Sequence, residues 1–594
     1  MIMSVWDDGW GISVAKKYQT TKESISEVLS GFQRTKDQKG FEILTVKAWD
    51  YQALMETYQK AEKIAREEHV PVLVHVIDVT QPQGHSTSGS HERYKDEERL
   101  KFEEEYCCIQ RTKDWILKNK IATKKALENI EAEAQAQANE AKKEAWGNFI
   151  NPIRESKKQM LVWLNQLKDE TGVDSVEESI KRLKFVQNPF RKDVVSAARK
   201  ALYATAGKTS EVRTTIIEWL KEEKVANADR FNSHLLSESE FSPERIEEIR
   251  PSYADNPKKV DGRVVLRDNF DKIFEKYPNT LVFGEDAGKL GDVNKGLEGM
   301  QDKYGEIRVS DTGIREATIL GQGLGMSIRG LRPIADIQYL DYVLYCFQVM
   351  SDDLATLRYR TKGGQAAPLI VRTRGHRLEG IWHSGSPMGV LINGLRGIHI
   401  CVPRNLTAAA GFYNTLIQGD DPALVIEPLN GYRLKEIMPE NLGEFTTPLG
   451  IPEIVKQGED ITIVSYGSTF NIIEGMIPQF EAAGISVELI DIRTLLPFDK
   501  THVILESLKK TNRLLVVDED VPGGASAFIM QQIVEVQGGY KHLDSRPACL
   551  AAHSHRPAYA SDGDYFSKPN AEDIFEKVYS IMQECEADRF PEIY

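Results

Sequence analysis

No stretch of this 594-residue chain approaches the ~18 consecutive apolar residues that a membrane span requires, so a transmembrane protein is excluded. Cysteine is also sparse: Cys107, Cys108, Cys346, Cys401, Cys549 and Cys585 are scattered, with no C-x-x-C pair. That argues against a disulfide framework, a zinc ribbon or a thioredoxin-like centre, and a reducing cytoplasm is the expected setting. Positive charge is in deficit, 75 Lys and Arg against 89 Asp and Glu, for a formal charge of −14. Attraction to a nucleic-acid backbone by bulk charge is therefore not expected. The opening residues, MIMSVWDDGWGIS, lack the basic and then apolar layout of a secretory signal. What is present is the composition of a soluble globular protein, 41% apolar and 28% charged. Its length suits about three to five domains.

Three rhythms run along the chain. Met1 to Trp6 is a short apolar run ending in the turn-like Asp7-Asp8-Gly9, and residues 40–92 alternate strand, helix and strand through FEILTV, AWDYQALMETYQKAEKIAREEH and VPVLVHVIDV. Residues 93–250 turn charged and helix-favouring, with KKALENIEAEAQAQANEAKKEAW expected to stop at Asn151-Pro152. Its heptads are not sustained, so solvated helix faces are expected rather than a coiled coil. From about residue 260 short continuous apolar strands return: TLVFGED, IRVS, LRPIADIQ, PLIVRT, GIHICV and ALVIEP. ITIVSYGS, ISVELIDI and RLLVVDED follow, with RTLLPFD read as a turn between them. Such strands suit parallel sheets covered on both faces.

Ligands of open parallel sheets sit beyond the carboxyl ends of the strands, which singles out five places. Asp7-Asp8-Gly9-Trp10 offers carboxylate oxygens and a backbone carbonyl to a hard cation, or is a plain turn. Gly84-His85-Ser86, with Thr87 to His91, is a small-residue loop able to close over an anion, or a solvated linker. Asp311-Thr312-Gly313-Ile314-Arg315-Glu316 leads into a helix in which Gly321, Gly323 and Gly325 permit close packing; Glu316 is a candidate acid or a helix N-terminal charge. Gln338-Tyr339-Leu340-Asp341-Tyr342 presents an aromatic ring to a planar cofactor, or to the core. Trp382-His383-Ser384-Gly385 places an acid–base histidine in a glycine-rich loop. The pair His553 and His555 lacks a third metal ligand at sensible spacing, and Ser465 and Ser384 lack the G-x-S-x-G context of a hydrolase.

Taken in order, these strings resemble a known family. From about residue 260 to 580, LVFGEDAG, DTGIREATILGQGLGM, LRPIADIQYLDY, RYRTKGG, IWHSGSP, DDPALVIEP, IDIRTLLPFDK and RLLVVDED closely resemble the β subunit of the thiamine-diphosphate-dependent first component of 2-oxo acid dehydrogenase complexes. DDGWGIS, VPVLVHVIDV, the GHSTS loop and the acidic helix near 126–146 resemble the C-terminal half of the α subunit of that enzyme. The resemblance implies an α–β fusion of α/β class with the thiamin diphosphate-binding fold. Residues 1–150 would be the C-terminal part of the diphosphate-binding domain, 151–257 a helical linker, 258–440 the pyrimidine-binding domain and 441–594 a transketolase-like C-terminal domain.

The same resemblance implies site roles. Glu316 matches the glutamate that hydrogen-bonds the cofactor's pyrimidine, Tyr342 the aromatic residue packed on that ring, and His383 the histidine near the reacting carbons. Gln338, Glu285 and Ser86 join them as cofactor-binding positions. Asp8 and the Trp10 carbonyl fall on the magnesium motif, where Asp in place of Asn still presents oxygen. His85 matches the loop histidine that assists acyl transfer to a lipoyl group. The chain departs from the pattern at Gln81, where the family has arginine, and around Gly89, where it has aspartate.

The implied reaction is decarboxylation of a 2-oxo acid with acyl transfer to a lipoyl acyltransferase, by a homodimer of the fused chain. IQYLDY favours 3-methyl-2-oxobutanoate and its branched-chain relatives over pyruvate. A transketolase-like sugar-phosphate enzyme is a same-fold alternative. The Gly-Asp-Gly half of the magnesium motif would precede Met1, so the chain alone is expected to be incomplete, and a truncated, non-catalytic assembly subunit is the competing reading.

Overall fold

Short β-branched runs become buried parallel strands, and the amphipathic segments between them become covering helices. The structure, a computed structural model, describes residues 1–85, 91–375, 383 and 385–593. Its contacts divide it into two compact units, Met1–Lys221 and Glu222–Tyr594. Among the described residues no helix is long and apolar enough to cross a membrane.

In the first unit, β1 (Ile2–Trp6), β2 (Glu42–Lys47) and β3 (Val72–Ile77) form a parallel sheet in the order β1-β3-β2. The central strand β3 is the β-branched run VLVHVI, buried from Val72 to Val76. The helix α1 (Tyr51–Glu67) starts where the Asp50 side chain accepts the Ala53 N–H, and its Ala61 and Ile64 pack on the sheet.

The helical segment corrects one expectation. Pro152 does not end its helix: α2 runs without a break from Lys124 to Thr171. Proline removes one N–H and crowds the carbonyl four residues back, a cost of ~3 kcal/mol in a helix interior. Apolar residues on both sides of it outweigh that cost: Ile150 and Ile153, then Met160, Leu164 and Leu167, lie buried along one face. All of these but Ile150 form a separate core with α3 (Val176–Phe185), α4 (Arg191–Ala204) and Ile216 of α5 (Glu211–Asn232). Upstream of that face, Glu128 to Phe149 is exposed almost throughout, as its charge runs suggested.

The second unit holds two sheets. In the larger, β4 (Thr280–Gly284), β5 (Val309–Asp311), β6 (Arg332–Tyr339), β7 (Ile370–Gly375), β8 (His399–Cys401) and β9 (Ala423–Pro428) run parallel. The helix α6 (Glu316–Ile328) follows β5, and α7 (Met388–Gly394) precedes β8. In the smaller sheet, β10 (Glu453–Lys456), β11 (Ile461–Ser465), β12 (Val487–Asp491), β14 (Leu514–Val517) and β15 (Ala548–Leu550) pair in the order β10-β12-β11-β14-β15. The RTLLPFD segment is not simply a turn. Its Thr494–Leu496 is β13, which pairs antiparallel with β8 and closes the larger sheet in the order β13-β8-β9-β7-β6-β4-β5. An unpaired sheet edge leaves a row of N–H and C=O groups to satisfy, and β13 supplies their partners.

Charge is buried inside the larger sheet. Register places Asp336 opposite Arg372 and Glu427 opposite Arg374, and none of these four side chains is exposed. Arg372 reaches Asp336 at 2.7 Å, Glu427 at 2.9 Å and Asp292 at 2.9 Å. Arg374 pairs with Asp336 and with Asp292 at 3.0 Å. Tyr413 donates to Glu427 at 2.8 Å, and Tyr432 donates to the same carboxylate.

The two sheets meet at a seam of carboxylates just past β14. Asp520 accepts the N–H groups of Gly389 at 3.0 Å, Val521 at 2.8 Å and Ala525 at 3.2 Å, the last at the start of α8 (Ala525–Met530). Burial, and then the charge of Asp518, pushes its carboxyl up to about 6.

Three outcomes are expected. Arg374→Met leaves Asp336 and Asp292 short of a buried partner and should lower stability by about 3–5 kcal/mol, read as a fall in the guanidinium midpoint. Pro152→Ala restores the missing helix N–H and should raise the melting temperature of the helical segment, by about 1–3 kcal/mol in stability; no rise would contradict the account of α2. Native Asp520 keeps its proton where the unfolded chain has lost it, so its contribution to stability falls as pH rises from 3.8 to about 6. That loss is about 3 kcal/mol at 1.36 kcal/mol per pH unit. Denaturant midpoints across this window should show the slope in the parent chain and lose it in Asp520→Asn.

Candidate active site

The carboxyl ends of β4, β5 and β6 bring together most of the residues singled out in the second half of the sequence. β4 stops at Gly284, where a side chain would lie 2.3 Å from the Asp336 carbonyl, so the chain passes tightly against β6 before delivering Glu285 and Asp286. Gln338, near the end of β6, donates to Asp286 at 3.1 Å. Glu316 is the first residue of α6 and is only 9% exposed.

Electrostatics ties these groups into one neighbourhood. Burial, followed by the charges of Asp286 and Glu316, raises the Glu285 carboxyl. The Tyr342 phenol is also raised, by burial first, then by Tyr339, Glu285 and Glu316. Cys346 is pushed up to about 12 by burial and then by the Glu316 charge, which makes it an inert core thiol. The His383 ring lies 4.8 Å from Tyr339 and 5.4 Å, edge-on, from Tyr342. Its Nδ1 is buried without a hydrogen-bond partner. A buried orphan acceptor or donor is costly, and one set against two phenol rings fits a site that completes its contacts with a ligand.

Two features of the glycine-spaced helix differ from expectation. Only Gly323 is needed for close packing, since a side chain there would meet Leu369 at 2.7 Å; Gly321 and Gly325 face open space. Asp311 is occupied as a turn staple, accepting the N–H groups of Gly288 and Lys289 at 2.7 and 3.1 Å.

In the first unit, Asp8 and Trp10 follow the carboxyl end of β1. Asp7 is already engaged by the Gly9 N–H, Lys16 and His75, and its carboxyl is held low by the Lys16 ammonium and the Gly9 N–H against the cost of burial. Asp8 accepts the Trp10 N–H at 3.0 Å through one oxygen. Arg99 donates to the carbonyls of Asp8 and Val79 at 3.1 and 2.7 Å, joining the loops that leave β1 and β3, while it and Lys95 lie over the Trp10 ring at 5.1 and 5.3 Å. The space bounded by Asp8, Trp10, Lys16, Lys17 and Arg99 measures ≈ 290 Å³. Four carboxylates, Asp7, Asp8, Glu23 and Asp78, line it beside those three cationic side chains, so it sets oxygen donors for a hard cation next to donors for an anion. Among the described residues no group of three His, Cys, Asp or Glu side chains could hold a metal by itself. His85 is exposed at the end of the loop after β3, and Ser86, Trp382 and Ser384 lie outside the described residues.

Sequence reasoning missed Arg99, Lys16 and the seam carboxylates Glu519 and Asp520. The one signal for the last two was their place just beyond the apolar run LLVV.

Residues 1–152 match the dehydrogenase E1 component family, 258–435 the transketolase pyrimidine-binding domain and 450–574 the transketolase C-terminal domain. The chain is 34% identical over 307 residues to the pyruvate dehydrogenase E1 component subunit beta of Acholeplasma laidlawii, covering 51% of this chain and 92% of that subunit. It is 32% identical over 265 residues to the 2-oxoisovalerate dehydrogenase subunit beta of Bacillus subtilis (strain 168), covering 44% of this chain and 79% of that subunit. A solved structure titled split gene transketolase, inactive beta4 tetramer, is similar at a TM-score of 0.45 and 16% identity, covering 55% of this chain and 99% of that one. With an E1 dehydrogenase segment followed by the pyrimidine-binding and C-terminal domains of an E1 β subunit, the chain belongs to the E1 family of thiamine-diphosphate-dependent 2-oxo acid dehydrogenases.

Proposed function

We propose that this protein decarboxylates a 2-oxo acid and passes the acyl unit to the lipoyl group of a dihydrolipoyl acyltransferase. The observation that carries the reading is the buried, unpartnered His383 Nδ1 beside Tyr339 and Tyr342, in the neighbourhood of Glu316. Thiamine diphosphate, when bound, supplies the electron sink for decarboxylation. The Glu316 carboxyl would hold a hydrogen bond to the pyrimidine ring, Tyr342 would pack on its face, and Gln338 and Glu285 would line its edge. His383 would move a proton at its ring nitrogen near the reacting carbons. In the first unit Asp8 and the Trp10 carbonyl would hold magnesium together with diphosphate and water oxygens, with Lys16, Lys17 and Arg99 balancing the anion. His85 and Ser86 would serve the acyl-transfer step.

The favoured substrate is 3-methyl-2-oxobutanoate, on the strength of the IQYLDY segment. Pyruvate is the rival, since relatives named for each compound are similar to this chain to nearly the same degree. A homodimer working in the cytoplasm is part of the same proposal.

Titrating the purified chain with thiamine diphosphate and magnesium, read by tryptophan fluorescence, should give a saturable change that is weaker by about tenfold or more in Glu316→Gln. Carbon dioxide release should then be faster from 3-methyl-2-oxobutanoate than from pyruvate. No fluorescence change at millimolar cofactor would overturn the reading, and a preference for pyruvate would overturn the substrate.

A further inference from the structure

We infer that Glu519 and Asp520 of the C-terminal domain, with Asp341, are positioning residues for His383: three carboxylates clamp the chain that follows this histidine. The inference rests on the function proposed above and adds a role for the C-terminal domain in it.

The clamp is a row of hydrogen bonds to consecutive points on one segment. Asp341 accepts the Gly385 N–H at 2.8 Å, Glu519 accepts the Ser386 hydroxyl at 2.9 Å, and Asp520 accepts the Gly389 N–H at 3.0 Å. Asp341 is itself held from the C-terminal domain by Arg556 at 3.0 Å. Gly385 lies two residues from His383 along the chain. Hydrogen bonds to ionised carboxylates are about twice as strong as neutral ones, so three in a row hold a short segment firmly.

Close approach at the clamp depends on glycine. A side chain at Gly385 would sit 2.3 Å from Asp341, one at Gly524 would sit 1.9 Å from the Asp520 carboxylate, and one at Gly389 would sit 3.0 Å from the Gly524 backbone. Beside the clamp a cleft of ≈ 760 Å³ runs along Pro387, Val390, Asn393 and Val521, so this flank of the segment is not packed solid. His383 needs such an anchor because no hydrogen bond at Nδ1 orients its ring. Its orientation depends on the two tyrosine rings and on the backbone that carries it.

The test reads His383 directly. Carbethoxylation by diethyl pyrocarbonate is followed for each histidine by peptide mass spectrometry on the full chain without cofactor. Ser386→Ala, which removes one hydroxyl, and Asp520→Asn, which sets an amide N–H₂ among three N–H donors, should each raise the His383 rate by about fivefold, as loss of about 1 kcal/mol would. His69 and His502 should keep their rates, and thiamine diphosphate affinity should not change, because neither variant touches Glu316 or Tyr342. In turnover both variants should lower kcat with little change in KM, and Asp520→Asn should cause no further loss in a His383→Ala background. An unchanged His383 rate in both variants overturns the clamp, as does a rise shared by His69 and His502. A failed cofactor titration with a responsive His383 removes the catalytic reading and leaves the clamp; a normal titration with an unresponsive His383 removes the clamp alone.

Discussion

The second unit depends on burying charge without leaving any of it unpaired. Arg372 and Arg374, two residues apart on β7, point into the same side of the sheet, and a carboxylate from each neighbouring strand meets them. Asp292 answers both guanidinium groups from a loop, and Tyr413 and Tyr432 satisfy the remaining oxygens of Glu427. Taking such groups out of water costs several kcal/mol per ion, so the network is poor evidence of extra stability. It is strong evidence of register: sliding β7 by one residue against β6 or β9 would strand two charges in the core. The strands pinned in this way include β6, whose carboxyl end carries Gln338, Tyr339 and the approach to Tyr342.

The candidate site of this unit is assembled from two directions. From the larger sheet come the strand ends and the N-terminus of α6, which set Glu285, Glu316 and Gln338 near the Tyr342 ring. From the C-terminal domain come β13, which completes the edge of that sheet, and the carboxylates past β14, which meet the segment after His383. The C-terminal domain thus does more than cover a face. It pairs backbone with the pyrimidine domain on one side and supplies anions to it on another.

The first unit shows the same logic on a smaller scale. A parallel three-stranded sheet presents two loops from its carboxyl edge, and Arg99 ties their carbonyls together while lying over Trp10. Lys16 neutralises Asp7, so the pair of acidic residues after β1 is not a pair of equivalent ligands. The helical segment beyond it is held by its own apolar core, which is why a proline inside α2 is tolerated.

Most strands were legible from the sequence because a continuous β-branched run has few other uses, and α1 was legible from its amphipathic period. Glu316, Gln338, Tyr342 and His383 were nominated by motifs at strand ends, and their convergence agrees with where open parallel sheets place ligands. The continuation of α2 through Pro152 was not legible, because a local rule about one N–H cannot weigh a core formed with residues of later helices, from Val176 to Ile216. Nor was the strand inside RTLLPFD, whose extended backbone is stabilised by β8 and not by its own side chains. The charged network was hidden for a related reason: nothing local to PLIVRTRG shows that Arg372 and Arg374 meet Asp292, Asp336 and Glu427, which come from other strands and a loop. Local pattern therefore determined which segments are strands and helices and which residues carry chemistry. Tertiary structure decided which charges are buried, which strand closes which sheet and which carboxylates bind the segment from Gly385 to Gly389, because each of these is settled by partners distant in sequence.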